Sequence, residues 1–166
     1  MRFKVTMSRP SSSKSRVVIL FLACAALAVF FIANSANKAK SPGSEWKRGS
    51  VTVQKQTLDV YLAQTEQERE FGLSGFDAIK SNQGMLFIFD MAQKPSFWMK
   101  DMKFPIDIIW INNNQVVDIT KDLPVQYDSN LTRYFPNVDV DRVLEVNAGW
   151  CEKHNVNIGD GVEISL

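Results

Sequence analysis

The most constraining feature of this sequence is a set of three short apolar runs between residues 84 and 111. The runs cover residues 85–89, 97–99 and 106–111, and each is rich in aromatic and β-branched side chains. Residues that favour turns or solvent, such as Pro, Lys, Asp and Ser, separate them. Runs of this length and composition predict three strands joined by two connections. We expect the rest of the folded chain to pack on or around them.

The first of these predicted strands is apolar on both faces, because every residue from 85 to 89 is apolar. Such a strand is covered on both sides in a barrel or a sandwich. The strand at 106–111 carries a carboxylate, Asp107, among apolar neighbours. An isolated buried charge costs several kcal/mol, so Asp107 is expected to have a partner.

The rest of the domain shows shorter patterns of the same kind. Alternation with period two at residues 51–53 and 58–62 predicts a hairpin. The sequence Thr65-Glu-Gln-Glu68 is a capping box, which predicts a short helix over 65–71 with Gly72 in its C-terminal turn. The other predicted elements are strands at 115–120, 143–146 and 162–166, a turn at 112–114, a short helix at 148–154 and a polar surface excursion at 121–141. The predicted fold is α+β and mostly β, a small barrel-like domain with two short helices.

The N-terminal forty residues form a different kind of segment, with seven Lys or Arg and no acid. Residues 17–33 are uncharged, and as a helix they would span roughly 26 Å, marginal for a bilayer core. This run is either a signal peptide, with a small-x-small site at residues 33–35, or an uncleaved signal anchor, which its length favours. The predicted divisions of the chain are a basic segment at 1–16, the apolar helix at 17–33, a linker at 34–48 and the β domain at 49–166.

The position of the apolar run predicts that the domain lies outside the cytoplasm, either anchored in the membrane through residues 17–33 or secreted. Beyond residue 40 the chain has twelve basic and eighteen acidic residues, a net charge of −6. This charge argues against a nucleic-acid partner, which requires a basic face. The two cysteines cannot build a disulfide framework, and a single histidine leaves no His-based zinc site. We expect no metal and no cofactor.

The most conspicuous candidate site is the sequence Phe97-Trp98-Met99-Lys100. Alternation along a strand would send Phe97 and Met99 to one face and the other two residues to the opposite face. One interpretation is that all four belong to the core, with the Lys100 ammonium reaching solvent. The other is an aromatic platform beside a cation, which suits a glycan, a peptide or a small acidic molecule.

Two acids inside apolar strands, Asp107 and Glu145, are candidates to complete this site. The simpler interpretation is a structural ion pair with Lys100. Two carboxylates in one cleft could instead act as acid and base or nucleophile of a hydrolase, so both are also candidate catalytic residues. Cys151 and His154, three positions apart, form a weaker candidate nucleophile pair. The predicted ligand-binding residues are Phe97, Trp98, Lys100, Asp107 and Glu145.

These residues fall within a recognisable order of short motifs. The motifs are GL at 72–73, GMLFxF at 84–89, FWMK at 97–100, PIDII at 105–109, VLEV at 143–146 and GD at 159–160. From about residue 58 to residue 166 the chain resembles the family named domain of unknown function 192. The family pattern has Met in place of Ser74 and Asn-Thr in place of residues 101–102. The resemblance implies a compact, mostly β, barrel-like and often exported domain, and it supplies no activity.

Three functions are compatible with these observations. The leading hypothesis is a non-enzymatic binding or accessory module outside the cytoplasm, which uses the surface around Trp98, Lys100 and Asp107. The second is a hydrolase of an envelope polymer that works through Asp107 and Glu145. The third is a structural envelope protein without a ligand. A hydrolase requires both carboxylates in one cleft, and a binding module requires Trp98 partly exposed in a concavity.

Overall fold

Strands form the framework of the protein in the computed structural model, which describes residues 46–127 and 130–166. The strands are β1 (Arg48–Val53), β2 (Gln56–Ala63), β3 (Gln83–Gln93), β4 (Phe97–Trp98), β5 (Ile106–Asn112), β6 (Gln115–Leu123), β7 (Arg133–Tyr134), β8 (Val140–Asn147) and β9 (Val162–Ser165). The helices are α1 (Glu66–Phe71) and α2 (Trp150–Lys153). The apolar segment at 17–33 lies outside the described residues. Within the described ranges no helix has the length and hydropathy needed to span a bilayer.

Seven strands form one sheet in the order β6-β5-β8-β3-β2-β1-β9, and β4 pairs with β7 separately. All neighbours in the large sheet are antiparallel except β2 and β3, which are parallel. The two ends of the sheet approach each other, because Val116 of β6 exchanges backbone hydrogen bonds with the turn that precedes β9. The sheet is therefore curled into a half-barrel. This confirms the prediction of a mostly β, barrel-like domain with two short helices.

Local sequence signals explain most of the element boundaries. The Thr65 hydroxyl accepts from the Glu68 N–H at 3.2 Å, and the Glu68 carboxylate accepts from the Thr65 N–H at 2.9 Å. The predicted capping box is thus confirmed, and α1 ends at Phe71, with Gly72 as its C-cap at a φ of +52°. Asn113 and Asn114 both have positive φ between β5 and β6, as a tight hairpin turn requires.

The central strand β8 packs between β3 and β5 and has a buried environment on both faces. Leu144 lies opposite Leu86 and Ile109, and these side chains belong to the first core cluster, which β1, β2 and α2 complete. Val143 and Glu145, on either side of Leu144, point to the opposite face of the sheet. On that face Val143, Met85 and Ile108 belong to a second core cluster. The prediction that β3 is covered on both sides is therefore confirmed. The two clusters are separated by the sheet itself.

The buried carboxylate of Asp107 lies near the start of β5, on the face of the sheet that carries the first core cluster. We call this the first face and the opposite one the second face. Its Oδ1 accepts from the backbone N–H of Asp122 at 2.9 Å and of Gly149 at 3.2 Å, and its Oδ2 accepts from that of Cys151 at 2.9 Å. The expected ion pair of Asp107 with Lys100 is thus wrong. Backbone amides satisfy this carboxylate because three segments with spare N–H groups converge on it.

The Asp122 N–H is available because β6 contains one extra residue opposite Asp107. Ile106 pairs with Leu123 and Ile108 pairs with Thr120, so a bulge falls between these two pairs. Asp122 lies in that bulge with φ of +53°, and its N–H points at the carboxylate.

The structure differs from the sequence-based prediction in the segment expected to be a polar surface excursion. β6 continues to Leu123, and residues 133–134 form β7, which pairs with β4. The predicted strand at 97–99 ends at Trp98, and a turn begins with the hydrogen bond from the Met102 N–H to the Met99 carbonyl. Two-residue strands of this kind depend on tertiary contacts and leave no periodic signal in the sequence.

We expect Asp107→Ala to lower the free energy of unfolding by at least about 3 kcal/mol, because it leaves one buried and two partly buried N–H donors without their acceptor. Urea unfolding monitored by tryptophan fluorescence measures this change. Asp90→Ala, which removes an exposed carboxylate on β3, is the matched control and should change stability by less than about 0.5 kcal/mol. A loss below about 1 kcal/mol for Asp107→Ala would show that the three amides find other partners.

Candidate functional site

An open cleft of about 400 Å³ lies on the second face of the sheet, between α1 and the segment that contains β4. Side chains from α1, β3, β4 and β8 converge there, and of these Phe87 belongs to the second core cluster while Phe97 packs against it. The apolar side chains that line the cleft are Phe71, Leu73, Phe87, Phe89, Pro95, Phe97, Trp98 and Met102. The charged and carboxyl side chains that line it are Glu66, Arg69, Glu70, Lys100 and Glu145.

The aromatic wall of the cleft is held rigidly from behind. Phe97 packs edge-to-face against Phe87, with ring centroids 4.9 Å apart, and against Trp110 at 5.4 Å. Trp98 is half-buried, and the Arg133 guanidinium lies 4.1 Å from its ring centroid. The pairing of β4 with β7 brings this cation to the ring, since Trp98 lies opposite Arg133. The wall is therefore pre-formed, as small-molecule sites usually are.

The opposite wall is positioned by Arg69 of α1. Its guanidinium donates to the carbonyls of Gln64 at 2.5 Å and Ile88 at 3.0 Å, so the helix is fastened to the end of β2 and to β3. The same guanidinium lies 5.2 Å from the Phe89 ring centroid. Its charge is therefore directed at backbone carbonyls and an aromatic face.

The Glu145 carboxyl lines the cleft and is only 5% exposed. On β8 it lies opposite Met85 and Ile108, so both flanking strands present apolar side chains to it. Its buried Oε2 has no hydrogen-bond partner among the described residues. Burial raises the pKa of Glu145 to about 8, because removal from water disfavours the charged form. At neutral pH the carboxyl is mostly protonated.

The structure brings together four of the five residues predicted to bind a ligand. Phe97, Trp98, Lys100 and Glu145 all line the cleft, although alternation predicted opposite faces for the first two. Both can reach it because β4 ends at Trp98 and the chain then turns. Asp107 is absent from the cleft lining, and its partners are the backbone amides of the first face.

The two buried acids lie on opposite faces of the sheet. On the paired strands β5 and β8, Asp107 is opposite Val146, whereas Ile108 is opposite Glu145. Successive residues of a strand point to opposite faces, so the two carboxyl groups are separated by the sheet. Asp107 and Glu145 therefore do not share one cleft, as a hydrolase that works through these two carboxylates would require.

Three residues of the site, Arg69, Phe89 and Arg133, were not among the residues predicted from the sequence to bind a ligand. Arg69 lies in the predicted helix shortly before Gly72, and Phe89 lies in the predicted apolar strand that became β3. These positions gave only a weak indication that the two residues belong to a site. Arg133 falls in the segment predicted to be a polar excursion, and nothing in its sequence pointed to a strand that pairs with β4.

The Cys151 and His154 pair does not have the properties of a catalytic nucleophile and base. Cys151 is fully buried, and burial, followed by the nearby Asp107 carboxylate, raises the pKa of its thiol above the usual range. A reactive cysteine needs the opposite shift, toward the thiolate. Among residues 46–127 and 130–166, no three His, Cys, Asp or Glu side chains are grouped so as to hold a metal ion.

We expect the burial of Glu145 to make stability fall as pH rises between the pKa of the unfolded state, near 4.5, and that of the folded state, near 8. In this window the folded protein binds one proton more than the unfolded chain, which lowers stability by about 1.4 kcal/mol per pH unit. Glu145→Gln has no carboxyl group at this position, so its stability lacks this dependence on pH. Relative to the variant, the wild type should lose about 4 kcal/mol between pH 5 and pH 8 in urea unfolding.

The control for this comparison is Glu163→Gln, which replaces an exposed acid on β9. Its stability should follow the wild-type pH profile. A constant difference between wild type and Glu145→Gln from pH 5 to pH 8 would contradict the assignment of a buried, neutral carboxyl.

Comparison with solved structures finds the same fold in two bacterial proteins. A protein of unknown function from Novosphingobium aromaticivorans DSM 12444 has a TM-score of 0.66 at 28% identity, over 74% of this chain and 89% of that one. A protein from Sinorhizobium meliloti 1021, described as a candidate transcription regulator, has a TM-score of 0.63 at 27% identity, over 72% of this chain and 95% of that one. No curated protein sequence matches the chain.

The family comparison agrees with the motifs in the sequence. The model of the family described as uncharacterized ACR, domain of unknown function 192, matches residues 49–164. This range covers most of the chain and all of the strands from β2 to β8. The protein therefore belongs to the domain of unknown function 192 family.

Proposed function

We propose that this protein is a non-enzymatic binding or accessory module whose binding site is the cleft between α1 and β4. The observation that carries the proposal is an open, pre-formed concavity of about 400 Å³ with aromatic walls and one buried, unpaired carboxyl group. Binding sites for small molecules and peptide side chains combine these features, an apolar surface and a few convergent polar groups. The binding residues are Phe97, Trp98, Lys100 and Glu145.

The geometry supports binding better than hydrolysis. Hydrolysis by two carboxyl groups needs an acid and a base or nucleophile on the same substrate bond. In this protein Glu145 borders the cleft, while Asp107 accepts three backbone hydrogen bonds on the other face of the sheet. A ligand in the cleft would therefore meet Glu145 as its buried carboxyl group, beside the exposed Glu66 and Glu70 of α1.

We place this module outside the cytoplasm, anchored through residues 17–33 or released after export. The support is the basic N-terminus followed by an uncharged apolar run. The description of the Sinorhizobium meliloti relative as a candidate transcription regulator raises DNA binding as an alternative. The net charge of −6 beyond residue 40 weighs against it, because affinity for DNA depends on neutralising phosphates with basic side chains.

We expect Trp98→Ala to reduce ligand-induced stabilisation of the full-length protein by more than half. The test measures Tm with a panel of short peptides, amino-sugar oligosaccharides and small carboxylic acids. A ligand at about 100 times its Kd adds about 2.7 kcal/mol of stability, which raises the wild-type Tm by several degrees. The same ligand should shift the Tm of Trp98→Ala by less than half as much.

The matched control is Phe135→Ala, which removes an exposed aromatic ring outside the cleft lining and should keep the full shift. An equal shift in Trp98→Ala and wild type would place the binding site elsewhere. If no compound of the panel raises the wild-type Tm, the structural envelope protein without a ligand becomes the better hypothesis.

A further inference from the structure

We propose that the cleft binds an uncharged amide group carried on an apolar body, and that the Glu145 carboxyl recognises this amide by donating one hydrogen bond and accepting another. The inference rests on the proposed binding function of the cleft and names the chemistry of its ligand. It is carried by the position of Glu145, by the charges around the cleft and by its apolar walls.

The first observation is that Glu145 lines the cleft and has unused hydrogen-bonding capacity. The side chain is 5% exposed and lines the cleft, and its Oε2 has no partner among the described residues. Native proteins leave few buried polar atoms unpaired, and those that remain commonly have a functional reason. A ligand that fills the cleft can supply the missing partner.

The second observation concerns the charged groups that face Glu145. Its sheet neighbours on β3 and β5 are Met85 and Ile108, which carry no charge. The charged side chains that line the cleft with it are Glu66, Arg69 and Glu70 of α1 and Lys100 after β4. Burial alone accounts for the raised pKa of Glu145, so none of these charges neutralises or stabilises its anion. The group is therefore a neutral carboxylic acid at pH 7.

A neutral carboxylic acid presents an O–H donor and a carbonyl acceptor side by side. An amide presents the complementary pair, since its carbonyl accepts and its N–H donates. The Glu145 carboxyl and a ligand amide can thus form two hydrogen bonds at once, without placing a charge among the apolar side chains around Glu145. This match favours an amide over a hydroxyl group, which offers a single oxygen.

The aromatic rings of the cleft offer little to a cationic ligand, and the acids Glu66 and Glu70 in the lining are balanced by Arg69 and Lys100. The guanidinium of Arg69 lies 5.2 Å from the Phe89 ring centroid, and that of Arg133 lies 4.1 Å from the Trp98 ring centroid. Two of the rings that could attract a ligand cation therefore already interact with a protein cation. Lys100 adds a further positive charge to the lining.

An anionic ligand is disfavoured for a different reason. The floor near Glu145 is formed by apolar side chains, and the Arg69 guanidinium already donates to the Gln64 and Ile88 carbonyls. A carboxylate next to Glu145 would lose its hydration among apolar side chains, and with Arg69 already bonded to carbonyls its remaining cation in the lining would be the exposed Lys100. The apolar walls suit instead an aromatic or aliphatic group attached to the amide.

Three ligands with one body and different head groups test the proposal: 4-fluorobenzamide, 4-fluorobenzoate and 4-fluorobenzylamine. Their binding to the full-length protein is measured by fluorine NMR at pH 7. We expect the neutral amide to bind at least tenfold more tightly than the anion or the cation. Between pH 7 and pH 9 its affinity should fall about tenfold, as Glu145 ionises and loses its donor.

Two variants separate recognition from folding. Glu145→Gln keeps a donor and an acceptor, so it should bind 4-fluorobenzamide without the loss of affinity at high pH. Glu145→Leu keeps the apolar volume and should reduce binding at least tenfold. Phe135→Ala, outside the cleft lining, should bind like wild type.

Each contrary result has a distinct meaning. Tightest binding of 4-fluorobenzylamine or 4-fluorobenzoate, lost in Trp98→Ala, would overturn the amide proposal and leave the binding function of the cleft intact. Amide binding that does not change from pH 7 to pH 9 in wild type would also overturn the role of Glu145. If none of the three compounds binds, both the amide proposal and the assignment of the cleft as a binding site fail.

Discussion

Three backbone N–H groups converge on the buried Asp107 carboxylate, and the positions of the neighbouring elements depend on this convergence. The donors are Asp122 in the bulge of β6, Gly149 at the start of α2 and Cys151 in its first turn. None of these N–H groups has a partner in its own strand or helix, because bulges and helix N-termini leave donors unpaired. The carboxylate thus joins β6 and α2 to β5, and β5 in turn holds β8 in register, which places Glu145 on the opposite face.

Within residues 46–127 and 130–166, two carboxyl groups are buried, in adjacent strands, and their surroundings are opposite. Asp107 has three donors, whereas Glu145 has apolar neighbours and an unpaired oxygen. The first arrangement stabilises the fold, and the second destabilises it above the pKa of the unfolded state. A side chain that breaks the rule of buried polar pairing without a structural benefit is typical of a functional site. The cleft beside Glu145, lined by aromatic rings, is consistent with such a role.

The sequence predicted those parts of the fold that depend on local patterns. The two-sided apolar strand at 85–89, the capping box at Thr65 and the Asn-rich turn after β5 were all predicted from neighbours in sequence. Whether the two carboxylates share a face could not be predicted, because it depends on the register between β5 and β8. A shift of one residue in that register moves every side chain of a strand to the other face. Likewise, the partners of Asp107 come from turns, and the pairing of Arg133 with Trp98 requires two strands that form only in the folded protein. The export and anchoring of the chain stay predictions from residues 1–40.

The central claim is that the cleft contains a neutral carboxylic acid. The most direct test is a carbon-13 NMR titration of the carboxyl carbons of the full-length protein from pH 4 to pH 9. The Glu145 resonance is assigned by its absence from the spectrum of Glu145→Gln. Our account predicts that this carbon keeps the chemical shift of a protonated acid at pH 7 and titrates with a midpoint near 8. A midpoint near 4.5, that of an ordinary glutamate, would contradict it.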